Sequence, residues 1–188
     1  MAYGITRDQA LELVKSSITN EHLVNHCLAA EAVLGALAKK LGENQEQWCL
    51  AGLLHDLDAE RRPELHEHTK ETVAILQQKG VDQEIIEAIR LHNLAAYPGE
   101  QRQTRLQHGL AAGETITGLI IAAALVNPAK KLAALKPKSV KKRFKEKAFA
   151  RGANREIIAE CEKLGISVAD FCQLSLVALQ EIADQIGL

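Results

Sequence analysis

Apolar side chains recur at spacings of three and four residues along nearly the whole chain, and no stretch shows the strict alternation of a half-buried strand. Ala10, Leu13, Val14 and Ile18 form one stripe. Thr6-Arg7-Asp8-Gln9 ahead of them reads as a capping box, in which a hydroxyl and an amide three residues apart satisfy each other's backbone N–H groups. A second pattern runs from about Glu21 to Leu41 and stops at Gly42. Trp48 to Leu57 predicts a short buried helix and Leu65 to Lys79 a fourth, ended by Gly80. Asp82 caps a fifth that runs through Ile85, Ile86 and Ile89 to His92. After the break at Pro98-Gly99 a long helix is expected from about Thr104 to Val126, and Pro128 and Pro137 each open a short basic one. Asn154 to Leu164, closed by Gly165, and Ser167 to Ile186, opened by Ser-x-x-Asp, complete an all-α set with no internal repeat.

Composition adds a compartment and a charge pattern. With 188 residues, 47% of them hydrophobic, the chain can bury a substantial core. Cys27, Cys49, Cys161 and Cys172 form no Cys-x-x-Cys, and the first residues carry neither a basic nor an apolar signal region, so a reduced cytoplasmic protein is expected. The most apolar stretch, Thr117 to Val126, is far short of the roughly 20 residues a membrane span needs, and predicts a core helix. Net charge is −1, yet basic residues crowd Lys130 to Lys147 with Glu146 as the single acid there, leaving the remainder acidic. Such a run serves as a solvated helical face or as a rim that attracts phosphate. Phe144 alone interleaves it with an aromatic ring, too little for a nucleic-acid platform.

The candidate chemistry lies in the histidines. All seven fall between His22 and His108, and His55-Asp56 closes the apolar run Cys49 to Leu54, where an imidazole and a carboxylate are unfavourable unless they bind something. On the predicted helices His26 lies early in the second, His68 opens the fourth, His92 ends the fifth and Glu114 sits inside the sixth. Imidazole nitrogen with carboxylate oxygen suits divalent Mn, Fe, Co, Ni or Zn, and leaves coordination positions for water and a phosphoryl oxygen. His22, His66 and His108 are expected in solvent, with His66 able to exchange roles with His68. Trp48, Phe144, Phe149 and Phe171 read as packing residues.

The residues His26-Cys27-Leu28-Ala29-Ala30-Glu31-Ala32, the run Leu53-Leu54-His55-Asp56-Leu57-Asp58 and the segment around Glu114 together resemble the HD-domain superfamily of metal-dependent phosphohydrolases, over about Asn25 to Ala150. The resemblance implies an HD-type helical bundle at residues 1–150, with a C-terminal helical extension at 151–188 packed on it. It implies that His26, His55, Asp56 and Glu114 hold a divalent ion, Mn, Fe, Co, Ni, Zn or Mg. His68 and His92 stand where dinuclear members place two further ligands. Cyclic-dinucleotide phosphodiesterases of the superfamily carry a Lys where this chain has Ala59, and a longer motif where it has only Tyr97-Pro98, so that branch is not expected. Glu114 replaces the usual Asp, reaching roughly 1.5 Å further, and no aspartate between Asp82 and Asp170 could take its place.

The implied function is hydrolysis of a phosphate ester, a nucleotide or a related small phosphorylated metabolite, with Asp56 orienting the nucleophile or bridging two ions. Arg61, Lys130 and Lys131 are candidate phosphate contacts. The competing class is an HD-like module impaired by Glu114 that binds a nucleotide or a protein partner. A purely structural adaptor would leave the coincidence of His26 with His55-Asp56 unexplained.

Overall fold

Thr6 makes the capping box that opens α1 (Arg7–Ser17), and Asn20 caps α2 (Glu21–Leu41), which ends at Gly42 in the left-handed conformation at φ 71°. The structure, a computed structural model, describes residues 2–188. The remaining helices are α3 (Gln45–Leu54), α4 (Lys70–Gln78), α5 (Gln83–His92), α6 (Arg105–Leu125), α7 (Pro137–Lys145), α8 (Arg155–Ile158) and α9 (Val168–Glu181). No strand occurs among the described residues.

The arrangement is built around α6. Residues of every face of it, from Leu106 to Ala124, are buried against α2, α5, α7 and the 3-10 segment Ala159–Leu164. By length and composition α6 is apolar enough to cross a membrane, but 72% of its most apolar 18-residue window is buried inside the molecule. The apolar run that starts at Thr117 is therefore largely core as far as Ala124, while Leu125 and Val126 at its end are exposed. α3 packs along α2, and α9 lies across α2 and α7, so that one continuous core runs from Ile5 to Ile186. All four cysteines are free.

Two glycines set the helix spacing that matters for the site. A Cβ on Gly52 would lie 2.8 Å from the backbone of Ala30, so α3 approaches α2 as closely as two backbones can. One turn from that contact stand His55 on one side and His26 on the other. A Cβ on Gly113 would meet Leu34 Cδ2, and the same close approach brings Glu114 to the α2 face.

Five expected elements differ, two of them near the C-terminus: the helix expected over Asn154 to Leu164 is α8 followed by the 3-10 segment Ala159–Leu164, and the one expected over Ser167 to Ile186 is α9 followed by the 3-10 segment Ala183–Ile186. The third helix begins at Gln45, capped by Asn44, and ends at Leu54, which leaves His55-Asp56 just beyond it. Residues 65–69 form turns rather than the start of α4, because Thr69 takes a left-handed conformation at φ 86°. The role of its cap falls to Asp58, whose carboxylate accepts the N–H groups of Thr69, Glu71 and Thr72 at 3.1 Å each. After Pro128 there is only the 3-10 turn Leu132–Ala134, with Lys130 at φ 49°, and Gln180 of α9 donates to the carbonyl of Leu132 at 2.9 Å.

Candidate metal centre

Four imidazoles and two carboxylates converge where α2, α3, α5 and α6 meet. His26 comes from the second turn of α2, His55 from the end of α3, and Asp56 from the residue after it. His92 is the last residue of α5, Glu114 lies mid-way along α6, and His68 sits in the turn before α4. The Nε2 atoms of His55, His68 and His92 lie 3.3, 3.1 and 3.5 Å from Asp56 Oδ1, and that of His26 lies 3.6 Å from Oδ2. Glu114 Oε2 is 3.8 Å from His26 Nε2. Two trios capable of holding an ion result, His26/His55/Asp56 and Asp56/His68/His92, with Asp56 common to both.

The hydrogen bonds on the far side of each ring fix the tautomers. His55 Nδ1 faces the carbonyl of Gly52 at 2.8 Å and His92 Nδ1 that of Ile89 at 2.7 Å; a carbonyl only accepts, so both Nδ1 atoms carry a proton. His68 Nδ1 donates to Asp58 Oδ1 at 2.8 Å. Thr117 spends its hydroxyl proton on the carbonyl of Glu114 at 2.6 Å, and so accepts from His26 Nδ1 at 3.0 Å. Each neutral ring therefore turns an Nε2 lone pair inward. His26 and His55 face each other Nε2 to Nε2 at 3.2 Å, as do His68 and His92. Two lone pairs at that distance repel unless a cation stands with them, and the cation is either a proton or a metal ion.

Protonation follows that pairing. Burial, then the field of His55, pushes His26 down to about 4. Burial opposes protonation of His55 too, but Asp56 outweighs it and the pKa rises. In the other pair burial is again overcome at His68, where Asp56 and Asp58 raise it to about 10, while burial leaves His92 lowered. The two members of each pair are thus shifted in opposite directions. Burial would raise Asp56, but His55, His68 and His92 keep it well below the usual carboxylate range. Burial pushes Glu114 up to about 7.

Above the ligands opens a cavity of about 350 Å³, walled by Leu65 and Asn93 on one side and by Ala153, Asn154 and Ile157 on another. A larger groove of about 1110 Å³ between α2 and α9 holds none of the six ligand candidates. No Lys or Arg lines the smaller cavity among the described residues. Lys130 and Lys131 are exposed and lie outside it. The Arg61 guanidinium is held by Glu71 and by the carbonyls of Ser17 and Leu57, also outside the lining. His22 and His66 are exposed. His108 is not: it is 8% exposed and bonded to Glu160, a partner too distant in sequence to be foreseen.

The sequence also gave no role to Asp58, fully buried behind His68, although a third polar group in the run Leu53 to Leu57 and beyond was a signal of it. Asn93, whose amide donates to the carbonyls of Leu65 and His68 at 2.6 and 3.2 Å, ties the His68 turn to the end of α5. Against models of known protein families, residues 23–134, more than half of the chain, match the model described as HD domain. No curated protein and no solved structure matches the chain.

Proposed function

The chain belongs to the HD-domain family, and on that premise we propose that it is a metal-dependent phosphohydrolase acting on a phosphate ester, a nucleotide or a related small phosphorylated metabolite. The observation that carries this reading is the set of four Nε2 lone pairs aimed at Asp56, every one backed by a hydrogen bond on Nδ1. Backing of this kind is what orients imidazole ligands and raises their basicity.

His26, His55, Asp56 and Glu114 would hold one ion, and Asp56, His68 and His92 a second. A divalent ion bound there supplies Lewis acidity, which makes a water a competent nucleophile near neutral pH and draws charge from the phosphoryl oxygens. Asp56 stays ionised at neutral pH, so its carboxylate accepts a hydrogen bond from the attacking water and fixes its direction. With no Lys or Arg lining the cavity among the described residues, the negative charge of the substrate is matched at the ligand cluster itself. Leu65 and Ile157 give the cavity an apolar part of its wall, and the volume of about 350 Å³ suits a small phosphorylated molecule.

The test combines elemental analysis after chelator-free purification with a panel of phosphate esters and nucleotides. One or two divalent ions per chain, with turnover of at least one ester, is the expected result. Less than about a tenth of an equivalent, with no uptake of added Mn or Zn, overturns the metal reading; bound metal without turnover on a broad panel favours the impaired binding module.

A further inference from the structure

We infer that Arg102 and Glu160 are positioning residues for His92, through which the C-terminal part of the chain completes the His68/His92 half of the centre. The inference rests on the reading that both trios take a metal ion. Glu160 lies beyond residues 23–134, the span that matches the HD domain, so its role is not inherited from that match.

The end of α5 poses a problem of unpaired carbonyls. The last carbonyls of a helix have no partner within it, and here no glycine follows to close the turn, since Asn93 sits at φ −112°. Arg102 supplies the missing donors. Its Nε–H donates to the carbonyl of Leu91 at 2.8 Å and its Nη2–H to that of His92 at 2.7 Å. A cation at a helix C-terminus is also favoured by the helix dipole.

The Arg102 side chain is only 4% exposed, and a buried guanidinium needs a counter-ion. Glu160, in the segment Ala159–Leu164, accepts from Arg102 Nη1–H at 2.6 Å, while its second oxygen accepts from His108 Nδ1–H at 2.6 Å. His108 is itself fixed in the first turn of α6. The main chain of His92 is thus braced from α6 and from the C-terminal segment, and its ring is braced by Ile89, so Nε2 has one direction left.

The effect falls on one half of the centre. Through Asn93 the turn carrying His68 is tied to the same end of α5, so a shift of that end moves both ligands. His26 and His55 depend instead on α2, α3 and Thr117.

The experiment uses the full chain and Zn as probe. Competition against a chelator gives the affinities, and nitrogen NMR of the imidazoles reports which histidines are ligated. Arg102→Lys, which keeps the charge but loses the fork of donors, and Glu160→Gln should each weaken Zn at His68/His92 at least tenfold, the usual scale for losing such support. Zn at His26/His55 should change less than about threefold. Thr117→Val should show the reverse preference. Parallel weakening of both halves in step with thermal stability marks a merely structural role and overturns the inference, as does no change at all. Glu160→Gln is the milder replacement and carries the test if Arg102→Lys does not fold. Wild type that binds Zn at His26/His55 alone sinks the inference and leaves a single-ion hydrolase standing; wild type that binds no Zn sinks both.

Discussion

Glu114 stands where the resemblance to the HD-domain superfamily leads one to expect an aspartate, and the structure shows where the longer side chain reaches. Its carboxylate reaches to 3.8 Å from His26 Nε2, and Thr115 donates to its other oxygen. Glu114→Gln, which removes the anionic donor, is expected to weaken metal retention at least tenfold, while Glu114→Asp keeps the metal; identical affinities of wild type and Glu114→Gln in a chelator titration would remove Glu114 from the ligand set. At Asp56 the expectation is harsher, since it serves both trios: Asp56→Ala should abolish turnover with the helical fold retained, and activity within a few-fold of wild type refutes the mechanism. His68 adds a pH dependence. Without metal it keeps its proton up to about pH 10, Asp56 and Asp58 overcoming the opposing effect of burial, so an ion entering that half at neutral pH must displace a proton. Affinity should therefore rise with pH, about tenfold per unit for the one proton, and level off near pH 10. Calorimetry in two buffers of different ionisation enthalpy counts the protons, and none released at pH 7 places His68 outside the metal site.

At the scale of the helix, the site depends on how closely α3 lies on α2. Gly52→Ala would put a methyl group 2.8 Å from the Ala30 backbone, which cannot give way as a flexible side chain can. The expected loss is about 1–3 kcal/mol of stability, together with weaker metal binding at His26/His55, because the two histidines sit one turn from the contact. Gly118→Ala is the contrast: that Cβ would meet nothing within 4 Å, and alanine in a helix interior should add up to about 1 kcal/mol. Chemical denaturation of both variants, with and without metal, decides; equal stability of Gly52→Ala and wild type would refute the close-packing argument. What sequence could foresee follows the same division. α1, α2, α5 and α6 carry long apolar stripes and local caps, such as Thr6, Asp82 and Thr104, and were legible almost to the residue. The His26, His55-Asp56 and Glu114 pattern was legible for the same reason, each lying on or beside a readable helix. Residues 57–69 were not, since their order comes from Asp58 capping amides more than ten residues ahead. Nor was the Arg102–Glu160–His108 cluster, in which Glu160 lies more than fifty residues from both of its partners. Periodicity carries no information about partners that distant.

Over the whole molecule, charge is distributed as unevenly as the sequence suggests. Lys138, Lys141, Lys142 and Lys145 of α7 are exposed, and the ion pair that Arg143 makes with Glu146 is the one recorded within that helix's basic run among the described residues. The chain leaving α7 runs directly to Ala153 and Asn154 in the cavity wall. Arg155 holds this connection in shape, its guanidinium donating to the carbonyls of Phe144 at 3.1 Å, Phe149 at 2.5 Å and Ala150 at 2.9 Å. A basic surface leading to a cavity without Lys or Arg in its lining among the described residues fits the proposed function as a division of work, in which the surface would draw an anion in and the ligand cluster would hold it. Long-range attraction of this kind acts on association and is screened by salt, with a Debye length of about 8 Å at physiological ionic strength. For any phosphate ester the protein turns over, kcat/KM should therefore fall as salt rises while kcat stays nearly constant. Lys141→Glu with Lys142→Glu should lower kcat/KM at low salt and flatten its salt dependence, whereas the same charge change at Lys39 and Lys40, beside the groove between α2 and α9, should have a much smaller effect. A double variant in α7 with the salt dependence of wild type would show that the basic run is a solvated face with no part in substrate capture.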